Sequence, residues 1–110
     1  MKYVFDIDGT ICSDTNGVYQ NAVPINSRIE KVNQLYAQGH RIVFYTARGM
    51  GRSENKAEVA QAQWYEFTIN QLQQWGVNFH ELHLGKPAGD IYIDDKAITD
   101  TKFFTLNLSD

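Results

Sequence analysis

Two aspartates one residue apart, Asp6 and Asp8, close the run Tyr3-Val4-Phe5 and are followed at once by Gly9 and Thr10. A second acidic pair, Asp94-Asp95, follows Ile91-Tyr92-Ile93. Between the pairs come Thr46, at the end of Arg41-Ile42-Val43-Phe44-Tyr45, and Lys86 in Gly85-Lys86-Pro87. Four carboxylates gathered in one place raise each other's pKa unless a cation neutralises them. Oxygen donors with no Cys or His among them favour Mg²⁺ over zinc or copper, and Mg²⁺ leaves room for waters and a phosphate oxygen. A hydroxyl and a lysine beside such an ion suit phosphoryl transfer, which needs in-line positioning and charge stabilisation above all. Two acids separated by one residue can divide the work of nucleophile and general acid/base.

For those residues to meet, the chain must carry them to one rim. Tyr3 to Ile7 reads as a strand stopped by Asp8-Gly9, and Thr10 to Val23 as a loop or small hairpin. Pro24 suits a first helical position; Ile25, Ile29, Val32 and Tyr36 recur at near-helical spacing, and Gly39 fits the residue past the helix end. Arg41–Thr46 is a second strand with a nearly continuous apolar core. Ala47 to Ser53 is a loop. The stretch 54–75 has nothing to break a helix, Gly76 closes it, and Ala60, Trp64, Phe67 and Leu72 would form its buried side. Val77 to Leu84 is a third strand, Asp90 to Asp94 a fourth, and Phe103 to Leu108 a short edge strand. Apolar strands separated by helices imply an α/β fold: a three-layer, Rossmann-like, doubly wound parallel sheet covered on both faces. Ligands in such sheets bind outside the carboxyl ends of the strands, where Asp6, Asp8, Thr46, Lys86, Asp94 and Asp95 should converge.

Asp6-Ile7-Asp8-Gly9-Thr10 resembles the first motif of the haloacid dehalogenase superfamily of phosphatases, and Thr46, Lys86 and Asp94-Asp95 follow in that superfamily's order, each after an expected strand. More narrowly, Tyr45-Thr46-Ala47-Arg48-Gly49-Met50-Gly51 and Gly85-Lys86-Pro87 through Ile91-Tyr92-Ile93-Asp94-Asp95-Lys96 resemble small capless members associated with capsule and surface-polysaccharide biosynthesis. The resemblance implies that Asp6 attacks phosphorus to form an aspartyl-phosphate. Asp8 protonates the leaving alkoxide and then activates water. It implies a Mg²⁺ held by the Asp6 carboxylate, the Asp8 carbonyl and the Asp94-Asp95 pair, with Asp94 favoured as the direct ligand. Thr46 and Lys86 would bind the transferring phosphoryl group, and Gly9, Thr10, Ala47 and Arg48 the substrate. For Arg48 a pairing with an acid on the long helix is the structural alternative; Arg52 and Lys56 read as solvated charges. The substrate class implied is a small phosphorylated metabolite, a sugar phosphate first of all.

Length sharpens this. The 110 residues give one domain, 1–110. Neither the segment 11–23 nor the stretch between Thr46 and Lys86 has room for a cap, so the site should lie open unless a second copy of the chain covers it. Ten Lys and Arg against thirteen Asp and Glu, a formal charge of −3, argue against a nucleic-acid or membrane-surface binder. A hydrophobic content of 43% with 13% aromatics argues against disorder. No apolar run reaches the roughly 18 residues of a membrane-spanning helix. Asp6 interrupts the start too early for a signal peptide. Cys12 is the single cysteine, so no internal disulfide forms and a cytoplasmic home is expected.

Other functions are weaker. A phospho-accepting receiver domain shares the acidic pocket, Thr and Lys-Pro turn, but it carries its acid pair on the first strand and its acceptor on a later one. Here the Asp-x-Asp comes first and the adjacent pair last. A calcium loop starting at Asp6 would need glycine where Ile11 stands and glutamate where Gly17 stands. A nucleic-acid 3′-phosphatase would share the motifs, but an aromatic-basic surface pattern is missing. His80 and His83 fall on opposite faces of a strand and read as surface residues rather than metal ligands. Cys12 reads as a small unreactive side chain. Asn107-Leu108-Ser109 matches a glycosylation sequon that has no meaning without secretion.

Overall fold

The computed structural model describes residues 1–106. Three parallel strands, β1 (Lys2–Phe5), β2 (Arg41–Thr46) and β3 (Glu81–Leu84), form one sheet in the order β1-β2-β3. Helix α1 (Asn26–Ala37) connects β1 to β2, α2 (Ala57–Gln74) connects β2 to β3, and a short α3 (Asp100–Phe104) follows. This is an α/β fold. Ile42, Val43 and Phe44 of β2 are all buried, which is why the central strand reads as a continuous apolar run.

The register sets Tyr3 beside Ile42, Phe5 beside Phe44, Phe44 beside Leu82 and Thr46 beside Leu84, so these side chains share one face. On that face lies the core, where Ile29, Val32 and Leu35 of α1, Leu72 of α2 and Phe103 and Phe104 of α3 meet Phe5, Phe44 and Leu82. Each such side chain contributes about 1.5–3 kcal/mol by leaving water. The opposite face carries Lys2, Val4, Tyr45 and His83, all exposed, around the buried Val43 of the central strand. The layer of helices expected there is absent among the described residues, because crossovers that step one strand at a time in the same direction lay their helices on the same side.

Both long helices end as their glycines predict. Gly39 and Gly76 take φ values of 92° and 72°, and His40 and Val77 donate to the carbonyls of Leu35 and Leu72 across the helix ends. The starts differ from expectation. Pro24 lies outside α1, bridged to Cys12, and Ile25 precedes the first turn. Leu35 rather than Tyr36 completes the buried stripe; Tyr36 is exposed and stacks on His80 with ring centroids 4.7 Å apart. Helix α2 begins at Ala57 because Glu54 and Asn55 adopt φ of 56° and 61°, which no right-handed helix contains. Ala60 and Leu72 are buried on α2 as expected, Trp64 and Phe67 only partly, and the buried polar Thr68 and Gln71 lie with them.

Three strand expectations are corrected. The third strand is shorter, since Val77 belongs to the turn that closes α2. The fourth does not form: Ile91 and Ile93 are 79% and 95% exposed, and among the described residues no strand pairs with the outer edge of β1. Local bonds hold this segment instead. The Tyr92 hydroxyl donates to the Pro87 carbonyl at 2.6 Å and accepts from the Gly89 N–H at 3.0 Å, folding the chain back on itself. In place of the expected edge strand, Phe103 and Phe104 end α3 and Thr105 and Leu106 turn away from it, and residues 107–108 lie outside the described residues. A helix sends the adjacent Phe103 and Phe104 both into the core, 5.5 and 6.2 Å from the Phe5 ring, whereas a strand would turn one outward. Among the described residues no helix is long and apolar enough to cross a membrane.

Candidate active site

Beyond the carboxyl ends of β1 and β2 a cleft of about 180 Å³ opens. Asp6, Asp8, Thr46 and Ala47 form one side, and the loop carrying Asp14, Thr15 and Tyr19 the other. This loop is the excursion 12–24, pinched at its neck by Ser13 N–H to the Val23 carbonyl and Ile25 N–H to the Ile11 carbonyl, both 2.9 Å.

Asp6 is held by the Ile7 N–H, 2.8 Å from its Oδ1, while its Oδ2 faces the Lys86 Nζ at 3.9 Å. Burial pushes the Asp6 carboxyl above its ordinary value, with the Lys86 charge and the Ile7 N–H pulling the other way. That is the condition of a carboxylate short of positive charge. Lys86 is brought there by the turn after β3: its N–H donates to the Thr46 carbonyl at 3.2 Å, and its ammonium stands 4.2 Å from the Tyr92 ring centroid. Thr46 is 1% exposed, and its Oγ1 accepts the Arg48 N–H at 3.1 Å, which leaves the hydroxyl proton to be donated.

Asp8 is gripped by Arg48, whose Nε and Nη2 each donate to one carboxylate oxygen at 2.9 Å. Arg48 is therefore not an exposed substrate ligand, and its partners are Asp8 and the Thr68 hydroxyl rather than an acid on the long helix. Arg52 is not simply solvated: it donates to the Gly17 carbonyl and lies over the Tyr19 and Trp64 rings at 5.1 and 5.0 Å, strapping the loop to α2. Lys56 is exposed. Gly9 and Thr10, expected to touch substrate, form the turn after β1 and are not part of the cleft wall; the Thr10 carbonyl accepts from Arg28 at 3.0 Å.

The structure brings Asp6, Asp8, Thr46 and Lys86 together but not Asp94 and Asp95, which sit on the exposed segment that fails to pair with β1. Asp94 turns inward on its own loop, accepting the Lys96 N–H at 3.0 Å, and this bond is the first cause that lowers its pKa. Among the described residues no three His, Cys, Asp or Glu side chains are grouped to hold a metal. Burial pushes the Cys12 thiol up to about 12, with the Asp8 charge adding to it, so the thiol is inert as expected. His83 contacts Glu81 at 3.0 Å, which with Arg41 holds that carboxyl down at about 2; His80 accepts the Ile42 N–H.

Sequence reasoning missed the loop wall and Tyr19. The signal was the loop's one aromatic: the Tyr19 hydroxyl accepts the Gly49 N–H at 2.7 Å, and its carbonyl accepts from Gln71 at 2.9 Å.

No family model and no curated protein matches the chain. The crystal structure of an MCSG target from Vibrio cholerae is similar over 97% of this chain and 89% of its own, at 29% identity and a TM-score of 0.89. The architecture is thus shared with a natural protein along nearly the whole chain.

Proposed function

We propose that the chain is a phosphomonoesterase of the haloacid dehalogenase type, acting on a small phosphorylated metabolite, a sugar phosphate of surface-polysaccharide synthesis being the first choice. The observation that carries this is Asp6: a partly buried carboxylate, with Lys86 3.9 Å from one oxygen, Thr46 and Asp8 beside it, and an open cleft in front. In this scheme an Asp6 oxygen forms a bond to phosphorus as the bond to the leaving oxygen breaks. The electron pair released on that oxygen takes a proton from Asp8. Asp8, now ionised, removes a proton from water, whose oxygen attacks the aspartyl-phosphate and returns Asp6 with inorganic phosphate. Lys86 and the Thr46 hydroxyl hold the transferring oxygens and offset their charge.

Mg²⁺ suits the donors in kind, since Asp6, the Asp8 carbonyl and the Asp94-Asp95 pair are hard oxygens, but Asp94 and Asp95 do not stand with Asp6 in this structure. The ion would add charge neutralisation on the phosphoryl oxygens. Its full donor set requires the segment 90–95 to come to β1, completing a four-stranded sheet on the open edge. The test is phosphate release from a panel of sugar, sugar-acid and nucleotide monophosphates, with Mg²⁺ and with EDTA. Release from at least one sugar phosphate that EDTA stops supports the proposal; silence across the panel by folded, Mg²⁺-supplied protein overturns it.

A further inference from the structure

Arg48 is the largest fully buried side chain, and a buried guanidinium is rare unless every donor has a purpose. Here Nε and Nη2 fork onto the two oxygens of Asp8 at 2.9 Å each, Nη1 reaches the Thr68 hydroxyl on α2 at 3.3 Å, and the face of the group lies 4.9 Å from the Tyr19 ring centroid. Its own backbone N–H ends on Thr46 Oγ1. The side chain has no exposed surface, whereas Asp8 retains 20% of its own. Arg48 borders the cleft, yet the carboxyl it clamps there keeps exposed surface and its own side chain has none.

We propose that Arg48 is a positioning residue, which fixes the Asp8 carboxyl in the one orientation from which it exchanges a proton with the leaving oxygen. This rests on the phosphomonoesterase reading of the site. A carboxylate has about four lone-pair directions; the fork occupies one on each oxygen, the Cys12 thiol donates to Oδ1 at 3.6 Å, and Oδ2 keeps one direction for a proton. Both oxygens being held, the carboxyl cannot rotate about its last bond, and proton transfer depends steeply on such alignment. Arg48 keeps its charge throughout; the proton passes only between Asp8 and the departing oxygen. The planar fork matters and not the charge alone, so lysine cannot replace it.

The experiment compares kcat/KM for two esters whose leaving groups differ in their need for a proton: 4-nitrophenyl phosphate, which departs readily as an anion, and glycerol 2-phosphate, whose alkoxide must be protonated. This parameter covers every step through the first phosphoryl transfer and so reports on the leaving group. Arg48→Gln is expected to lower it about 100-fold for the alkyl ester and less than about 5-fold for the aryl ester, as loss of an aligned acid would. Arg48→Lys should behave like Arg48→Gln. Thr68→Val, which removes only the outer anchor and keeps the side-chain volume, should shift the ratio the same way by about 3-fold. Circular dichroism and thermal melts verify folding, and if Arg48→Gln does not fold, Arg48→Lys and Thr68→Val carry the comparison. Equal losses on both esters, or full activity in Arg48→Lys, would overturn the inference while leaving the phosphatase reading intact. Wild-type protein that hydrolyses neither ester nor any panel compound would overturn both.

Discussion

Asp6 and Lys86 stand 80 positions apart in the chain and 3.9 Å apart in space, and the charge balance between them decides what Asp6 can do. Burial works against the ionised Asp6 and Lys86 works for it. Replacing Lys86 by Met should therefore cost phosphate binding and transition-state charge stabilisation together, a loss in kcat/KM of about 100-fold or more. Steady-state kinetics on the best panel substrate measures it; wild-type kinetics in Lys86→Met would remove the lysine from the site. That Asp6, Asp8, Thr46 and Lys86 converge was legible because each stands at or after the end of an apolar run that reads as a strand of one parallel sheet. Arg48 was legible as a member of the site but not in its role. Its partners, Asp8 and Thr68, are set by tertiary packing, and a charged residue in a glycine-rich loop gives no local sign that it points inward.

At the level of elements, Arg28 of α1 joins three parts of the molecule. Its Nη1 donates to the Thr10 carbonyl after β1 and to Asp100 at 2.7 Å, and its guanidinium lies 4.8 Å from the Phe104 ring centroid. Hydrogen bonding from Arg28 lowers the Asp100 pKa. A depressed carboxyl pKa adds stability at pH values above the unfolded value, and that stability is lost as pH falls through the folded value. Asp100→Asn should thus destabilise the protein at pH 7 by less than about 1 kcal/mol, since the pair is partly exposed. The difference from wild type should shrink as the pH falls below the ordinary carboxylate value and vanish below the lowered folded value. Urea melts at pH 7 and pH 3 measure this; a difference as large at pH 3 as at pH 7 contradicts it. Helices α1 and α2 and strand β2 were legible because glycine stops and apolar periodicity agree with the packing. The segment from Asp90 to Asp94 reads as a strand by composition, yet three apolar residues between acids are few, and Tyr92 finds both hydrogen-bond partners in its own turn. Phe103-Phe104 was misread because adjacent aromatics fit a strand by propensity, while only a helix buries both.

Across the whole molecule, among the described residues, no helix covers one face of the sheet, no strand pairs with the outer edge of β1, and the apolar Ile91 and Ile93 stay in solvent. If Asp94 and Asp95 serve the same ion as Asp6, supplying that ion should order their segment, because ligand binding to the closed form stabilises it by mass action. Hydrogen exchange should slow at the amides 90–95 when Mg²⁺ and inorganic phosphate are added together, by about 10-fold or more at saturating ligand. Unchanged exchange there, with phosphate bound elsewhere in the cleft, would detach the acidic pair from the site. The strapped loop 14–19 walls one side of the cleft and leaves it open in front, so a ligand would enter from that side.

The central claim is that Asp6 carries the phosphoryl group. It is tested most directly by quenching the protein during turnover of its best panel substrate with sodium borohydride, which reduces an acyl phosphate to an alcohol, and reading the peptide that contains residue 6 by mass spectrometry. The account predicts conversion of Asp6 to homoserine in wild-type protein only when substrate is present, together with loss of phosphate release by at least about 1,000-fold in folded Asp6→Asn. Sustained phosphate release by Asp6→Asn, or trapping at another residue, would contradict it.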